Sequence, residues 1–189
     1  MNLLCINGSP RTNSNTGILV EHAAKPFVDA GWTVTEFQLG KMKLSPCNAC
    51  ESCHRTGRCV IDDDMSAVTD AYRECDAVII GSPVYYRNVT SQLKMLFDRT
   101  YVHRNTRPLT GKIGGAIAVG SGEDCGQSIT TGIIYNYFLS NGMLCVPGEI
   151  NGLTASASAP GDILKQPKRL QQAGVLGQNM LRLASKLFR

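Results

Sequence analysis

Residues 3–16 read Leu3-Leu4-Cys5-Ile6-Asn7-Gly8-Ser9-Pro10-Arg11-Thr12-Asn13-Ser14-Asn15-Thr16. An apolar run this short, stopped by Gly-Ser-Pro, is a buried strand, and the helical spacing from Thr16 to Ala30 supplies the element after it. The same strand, loop, helix grammar recurs along the chain. Gly31 closes the helix, and Thr33-Val34-Thr35-Glu36-Phe37 alternates as a half-buried strand. Asp62-Asp63-Asp64-Met65 opens a further helix with acid at its positive end. Cys75 to Gly81 is a buried strand, Ser82 to Thr90 a loop and Ser91 to Arg99 a helix. Ile113 to Gly120 is the fourth strand, Gln127 to Asn141 a helix, Met143 to Pro147 the fifth strand and Pro167 to Leu187 the last helix.

Alternating β and α elements predict an α/β fold with a parallel sheet and helices on both faces. Five strands suggest a flavodoxin-like three-layer sandwich in the order 2-1-3-4-5, where ligands sit beyond the carboxyl ends of the strands. The loops after strands one, three and four then meet above one crevice. In the first, the helix-start amides, the hydroxyls of Ser9, Ser14 and Thr16, the amide of Asn15 and the charge of Arg11 suit a terminal phosphate. Neither the Gly-Lys-Ser/Thr end of a triphosphate loop nor a Gly-x-Gly-x-x-Gly turn is present, so a phosphate monoester is the expected ligand. In the second, Pro83, Val84, Tyr85 and Tyr86 can wall a flat ring while Asn88 bonds its polar edge. In the third, Ser121, Gly122 and Gly126 let backbone approach a ligand closely.

The chain has 189 residues, 43% of them hydrophobic, and a net charge of +4. That supports one domain over residues 1–189, with a cysteine-rich insertion at 45–61. Basic residues gather only around Arg99 to Arg107 and along the C-terminal helix, so no nucleic acid partner is expected. No apolar stretch of about 18 residues occurs, so no membrane span is expected. Residues 1–20 show no basic start followed by an apolar run and a small-residue cleavage site, which points to a cytoplasmic protein with reduced thiols.

Cys47, Cys50, Cys53 and Cys59 fall within thirteen residues. Three thiols at every third position and a fourth after five more can be turned inward by one loop around a [4Fe-4S] cluster. Two other readings stay open. Structural zinc draws two Cys-x-x-Cys pairs set about 12 to 20 residues apart, unlike this single run; empty or redox-sensing thiols are the third possibility. The last gap is five residues rather than three and Val60 follows Cys59, so the run is not that of a ferredoxin. Lys41, Lys43, Arg55 and Arg58 surround it, either as a solvated loop or as groups that raise its potential and attract an acidic carrier.

The Gly8 to Thr16 stretch, the Ser82-Pro83-Val84-Tyr85-Tyr86 stretch, Gln92-Leu93-Lys94 and Asp98-Arg99 together resemble the flavodoxin-like NAD(P)H-dependent FMN reductase superfamily. With the four cysteines after strand two and Val60 to Met65 following, the chain more closely resembles the iron-sulfur flavoproteins. That resemblance implies FMN and a [4Fe-4S] cluster in an electron-carrying homodimer or homotetramer. Phosphate contacts would fall on Ser9, Arg11, Ser14, Asn15 and Thr16, and ring contacts on Pro83 to Tyr86, Asn88 and the Ser121 to Gly126 loop. Ferredoxin or a similar carrier would feed the cluster, then the FMN, then a small oxidant or quinone. A cluster-free NAD(P)H-dependent FMN or quinone reductase is the alternative, and a thiol-based sensor a third. An edge position for strand two puts the cysteine loop at the rim of the crevice, nearer a neighbouring subunit's flavin.

Cys5, Cys75 and Cys145 read as core side chains, and Cys125 lies in the third ligand loop. His22 and His103 have no partner in a catalytic spacing, and His54 lies inside the cysteine run, where it could replace a ligand. No general acid or nucleophile is required, because the flavin carries the chemistry.

Overall fold

The computed structural model describes residues 1–188. Its sheet holds β1 (Asn2–Asn7), β2 (Thr33–Gln38), β3 (Ala77–Pro83), β4 (Ile113–Gly120), β5 (Leu144–Cys145) and β6 (Leu153–Ser156). The order is β2-β1-β3-β4-β5, with β6 also on β4, and every pairing is parallel. This is the expected flavodoxin-like order, with one correction. The fifth position is shared by two short strands, β5 against Ile113 and Gly114 and β6 against Ile117 to Gly120. Pro147 has no amide proton for the ladder and Gly148 follows it, so the chain leaves the sheet and returns as β6.

Helices α1 (Asn15–Asp29), α2 (Ser52–Thr56), α3 (Met65–Glu74), α4 (Ser91–Arg99), α5 (Gln127–Ser140) and α6 (Pro167–Leu187) complete the chain. Side-chain alternation along β1 feeds two cores. Leu3 and Cys5 join Leu19, Val20, Phe27, Leu176 and Met180 under α1 and α6. Leu4 and Ile6 join Val68, Tyr72, Leu93, Leu96 and Phe138 under α3, α4 and α5. β4 is buried throughout because both of its faces are covered. Two of its glycines show how closely. A Cβ on Gly114 would lie 2.7 Å from the Phe138 ring, and one on Gly115 would lie 2.5 Å from the Met180 sulfur. Neighbouring strand positions thus admit α5 on one side and α6 on the other.

The edge strand β2 was expected to be half-buried in alternation; instead three of its residues are exposed and three partly buried, because an edge strand has a neighbour on one side alone. Cys5 and Cys75 are buried core side chains, and Cys145 is half-buried. Burial pushes the Cys5 thiol far up and the Cys75 thiol to about 11. Among the described residues no helix is long and apolar enough to cross a membrane.

Candidate functional site

The loops after β1, β3 and β4 close together at the carboxyl end of the sheet through backbone bonds. Gly8 N donates to Gly81 O at 2.8 Å, and Val84 N donates to Val119 O at 2.8 Å. Thr90 caps α4 by accepting from Leu93 N at 3.3 Å, and its hydroxyl donates to Gly8 O at 2.7 Å. The first loop is thereby pinned to the second before any ligand is present.

Between these loops lies a cavity of about 110 Å³, lined in part by Ser9, Arg11, Ser14, Asn15 and Thr16. Pro83, Val84, Tyr85 and Ser121 form its other expected wall. Ser14 is the N-cap of α1, and its Oγ accepts from Gly17 N at 3.0 Å. The first amides of α1 have no carbonyl one turn earlier, and no acid occupies that first turn, so the helix end is open to an anion. Ser9 is buried, with its Oγ accepting from Arg11 N at 3.2 Å. Arg11 reaches across the opening, where its Nη1 donates to Ser158 O at 3.0 Å. Among the described residues no carboxylate lines the cavity. Hydroxyls, helix amides and one guanidinium fit a phosphate. A space this size takes the phosphate end of FMN and leaves the ring to the loops outside, since a whole drug-sized ligand needs roughly 300 Å³ or more.

Four expected ring contacts fall outside this cavity lining. Tyr85 and Asn88 exchange backbone hydrogen bonds of 2.9 and 3.0 Å, which makes Tyr86 and Arg87 the tip of a two-residue turn. Both tip residues are left-handed, with φ of 49° and 59°, where such a turn ordinarily takes Asn-Gly. Tyr86 is wholly exposed, and the Asn88 Oδ1 accepts from Val89 N at 2.8 Å. Gly122 O accepts from Gln127 Nε2 at 2.7 Å and from Ser156 Oγ at 3.0 Å. Gly126 has φ 103°, and a Cβ there would lie 2.9 Å from Arg87 Cα, so a glycine is what lets the second and third loops touch.

Val119, Gly120, Ala157 and Ser158 line the cavity without having been expected. The signal for Ala157 and Ser158 was the alternating Leu153-Thr154-Ala155-Ser156, which is β6. Asn15 holds this wall. Its Nδ2 donates to Ala159 O at 2.8 Å and Ala157 O at 3.3 Å, while its Oδ1 accepts from Ile163 N at 3.1 Å. The Asn15 side chain is therefore committed to the protein.

The cysteine loop departs from the top of β2 and is clamped at its base. Arg99 forms a two-pronged ion pair with Asp63 at 2.8 and 2.9 Å, their side chains only 2% and 5% exposed. The same guanidinium donates to Ser45 O at 2.7 Å. Asp63 in turn accepts from Ser45 N at 2.9 Å and Met65 N at 3.1 Å, closing the two ends of the loop on one carboxylate. Burial opposes ionisation of both groups, and the pairing overcomes it, lowering the Asp63 pKa and raising that of Arg99. Within the loop, Ala49 and Glu51 are both left-handed at φ 56°, which reverses the chain between Cys47 and Cys53. His54 on α2 stacks against Tyr101 with ring centroids 4.8 Å apart.

Cys47, Cys50, Cys53 and Cys59 line one cavity of about 1030 Å³ with Tyr101 and Tyr137. Burial raises the Cys53 thiol pKa, and the neighbouring Cys59, Cys47 and Cys50 raise it further. The Ser52 amide and hydroxyl lower that of Cys50. Four thiols that line one cavity, with Cys53 in electrostatic reach of the other three, are the donor set an iron-sulfur cluster takes. Among the described residues, however, no three His, Cys, Asp or Glu side chains are gathered closely enough to hold one metal ion.

The loop is not at the rim of the crevice, as its edge position suggested. α4 and α5 begin at the carboxyl ends of β3 and β4 and run back along the sheet, and the thiols lie against their C-terminal residues Phe97, Thr100, Ser140 and Asn141. The loop replaces the upper part of the crossover to β3 and so descends beside the sheet.

The model of the family described as NADPH-dependent FMN reductase matches residues 1–155. An iron-sulfur flavoprotein of Methanocaldococcus jannaschii is 37% identical over 184 residues, 95% of either chain. A second iron-sulfur flavoprotein of that organism is 36% identical over 161 residues, covering 84% of this chain and 81% of its own. The crystal structure of a flavodoxin, WrbA-like protein from Agrobacterium tumefaciens superposes with a TM-score of 0.70 over 98% of each chain at 16% identity, which supports the fold. The parallel sheet, the family model and these relatives agree: the chain belongs to the iron-sulfur flavoproteins of the NADPH-dependent FMN reductase family and is an FMN-dependent oxidoreductase.

Proposed function

We propose that this protein passes electrons from ferredoxin or a similar carrier, through a [4Fe-4S] cluster on Cys47, Cys50, Cys53 and Cys59, to FMN and then to a small oxidant or quinone. The observation that carries the reading is the set of four thiols lining one cavity, with both ends of their loop fastened to the buried Asp63 and Arg99 pair. FMN, when bound, supplies exchange between one-electron and two-electron steps. Arg11, Ser9, Ser14, Thr16 and the first amides of α1 bind and orient its phosphate, and Tyr85 with Pro83 shields one side of its ring. The Ser121, Gly122 and Gly126 loop and the Tyr86 to Asn88 turn border the place where the ring lies, and their backbone groups hold its polar edge. Residues 1–189 act as one flavin-binding unit in the cytoplasm, with 45–61 as its electron-receiving insertion. Because the thiols lie beside the sheet rather than over the crevice, a homodimer or homotetramer brings one subunit's cysteine loop to another's flavin.

A cluster-free reductase that takes hydride from NAD(P)H is the second reading. It is favoured by the spread of the thiols, no three of which, among the described residues, converge on one ion. Anaerobic purification, a visible spectrum, and counts of iron, acid-labile sulfide and FMN separate the two. About four iron, four sulfide and one FMN per chain support electron transfer; FMN with no iron transfers the assignment to the reductase.

A further inference from the structure

Arg99 is sealed in the protein at the end of α4, and its side chain is accounted for almost completely. Nη1 and Nη2 donate to both Asp63 oxygens, to Ser45 O at 2.7 Å and to Ile61 O at 3.4 Å. Among the described residues the remaining donor, Nε, is buried and closes no hydrogen bond. A buried N–H left without an acceptor is destabilising, and an exception of that kind in a native protein calls for an explanation. Cys59 lines the same narrow cavity of about 160 Å³ as Arg99.

We infer that Arg99 Nε donates its hydrogen bond to the Cys59 sulfur when that sulfur ligates the cluster, which makes Arg99 a positioning residue that sets the cluster's reduction potential. The inference rests on the cluster reading above. A donor and a fixed positive charge at a ligand sulfur stabilise the more negative, reduced state, so they raise the potential. The arrangement also explains why the clamp uses arginine. Lysine could neutralise Asp63, but it has no second nitrogen to aim at Cys59 while the first is engaged.

Two measurements on the anaerobically purified holoprotein test this. Pulsed EPR of the reduced cluster, in protein carrying 15N-labelled arginine, should show nitrogen coupling from one arginine. In Arg99→Lys that coupling should vanish and the cluster's midpoint potential should fall, while the FMN potential and the iron and FMN counts stay unchanged. Asp63→Asn loosens the clamp but keeps Nε, so its cluster potential should not fall. Wild-type protein that holds iron but shows no arginine nitrogen coupling overturns the proposal. So does an equal fall of potential in Asp63→Asn, which would trace the effect to loop order. Wild-type protein without iron overturns the cluster reading itself, and this inference with it.

Discussion

Asn15 Oδ1 accepts a hydrogen bond of 3.1 Å from the amide of Ile163, a residue 148 positions later. With its Nδ2 given to Ala157 O and Ala159 O, this single side chain at the start of α1 joins the loop after β1 to the segment beyond β6. The far wall of the cavity at the start of α1 is thus built from the last quarter of the chain and held by a residue from the first tenth.

Asn15→Ala leaves a buried amide and two carbonyls without their partner. Unfolding in urea should show a loss of about 1–3 kcal/mol. FMN affinity should fall as the Ala157 and Ser158 wall loosens, although the substitution removes no charge from the cavity. Unchanged stability and affinity would mean that this wall is held in place by its own packing.

Arg11→Ala removes the charge over the cavity. A charge-assisted bond of about 1.5–3 kcal/mol translates to FMN binding weaker by roughly 10-fold to 100-fold, with any iron content unaffected. Cys50→Ala should do the reverse, abolishing the cluster absorbance while FMN stays bound. Fluorescence titration and iron analysis of both variants check the crossed pattern, and retention of a full cluster in Cys50→Ala would remove that cysteine from the ligand set.

Asp63→Ala strands the buried Arg99 charge, which should cost about 3–5 kcal/mol at neutral pH. The pair holds the Asp63 pKa below its ordinary value. Its contribution is therefore fully present above the unfolded carboxylate pKa of about 4 and is lost as the pH falls through the folded value. Denaturant unfolding of wild type and variant should differ most at pH 6 to 7 and converge in acid.

His103 is buried, and neither ring nitrogen closes a hydrogen bond of normal geometry. Burial first, and then the positive charge of Arg73, push its pKa down to about 4. The unfolded chain therefore takes up the proton more readily, and stability falls as the pH drops from about 6.5 to 4, by roughly 3 kcal/mol in all. His103→Phe should flatten the pH dependence of the urea midpoint across that window. An unaltered slope would show that the imidazole finds a proton acceptor in the folded state.

The layers of this molecule were legible in its sequence because burial on two faces leaves a plain mark. Runs such as Ala77-Val78-Ile79-Ile80 and Ile113 to Gly120 are continuous only when helices cover both sides of a strand, and punctuation such as Gly8-Ser9-Pro10 shows where each run ends. The gathering of residues at the start of α1 was legible for a local reason too, since a helix N-cap and its neighbours lie within a few residues of one another. Ser9, Arg11, Ser14, Asn15 and Thr16 were expected together and line one cavity together.

Tertiary structure decided what depends on residues far apart in the chain. Asp63 has the sequence signature of a helix start, and only the fold brings Arg99 to it from 36 residues away. Asn15 could have faced a ligand, but the approach of Ile163 turned it into a tie. The descent of the cysteine loop beside α4 and α5 follows from packing of α2 on Tyr101 and from the buried ion pair, neither of which the spacing of four cysteines contains. Local sequence determines local conformation and the sidedness of an element. Which partner satisfies a buried charge or amide is settled when separate elements pack, because desolvation makes a bond between distant residues compulsory only once water has left.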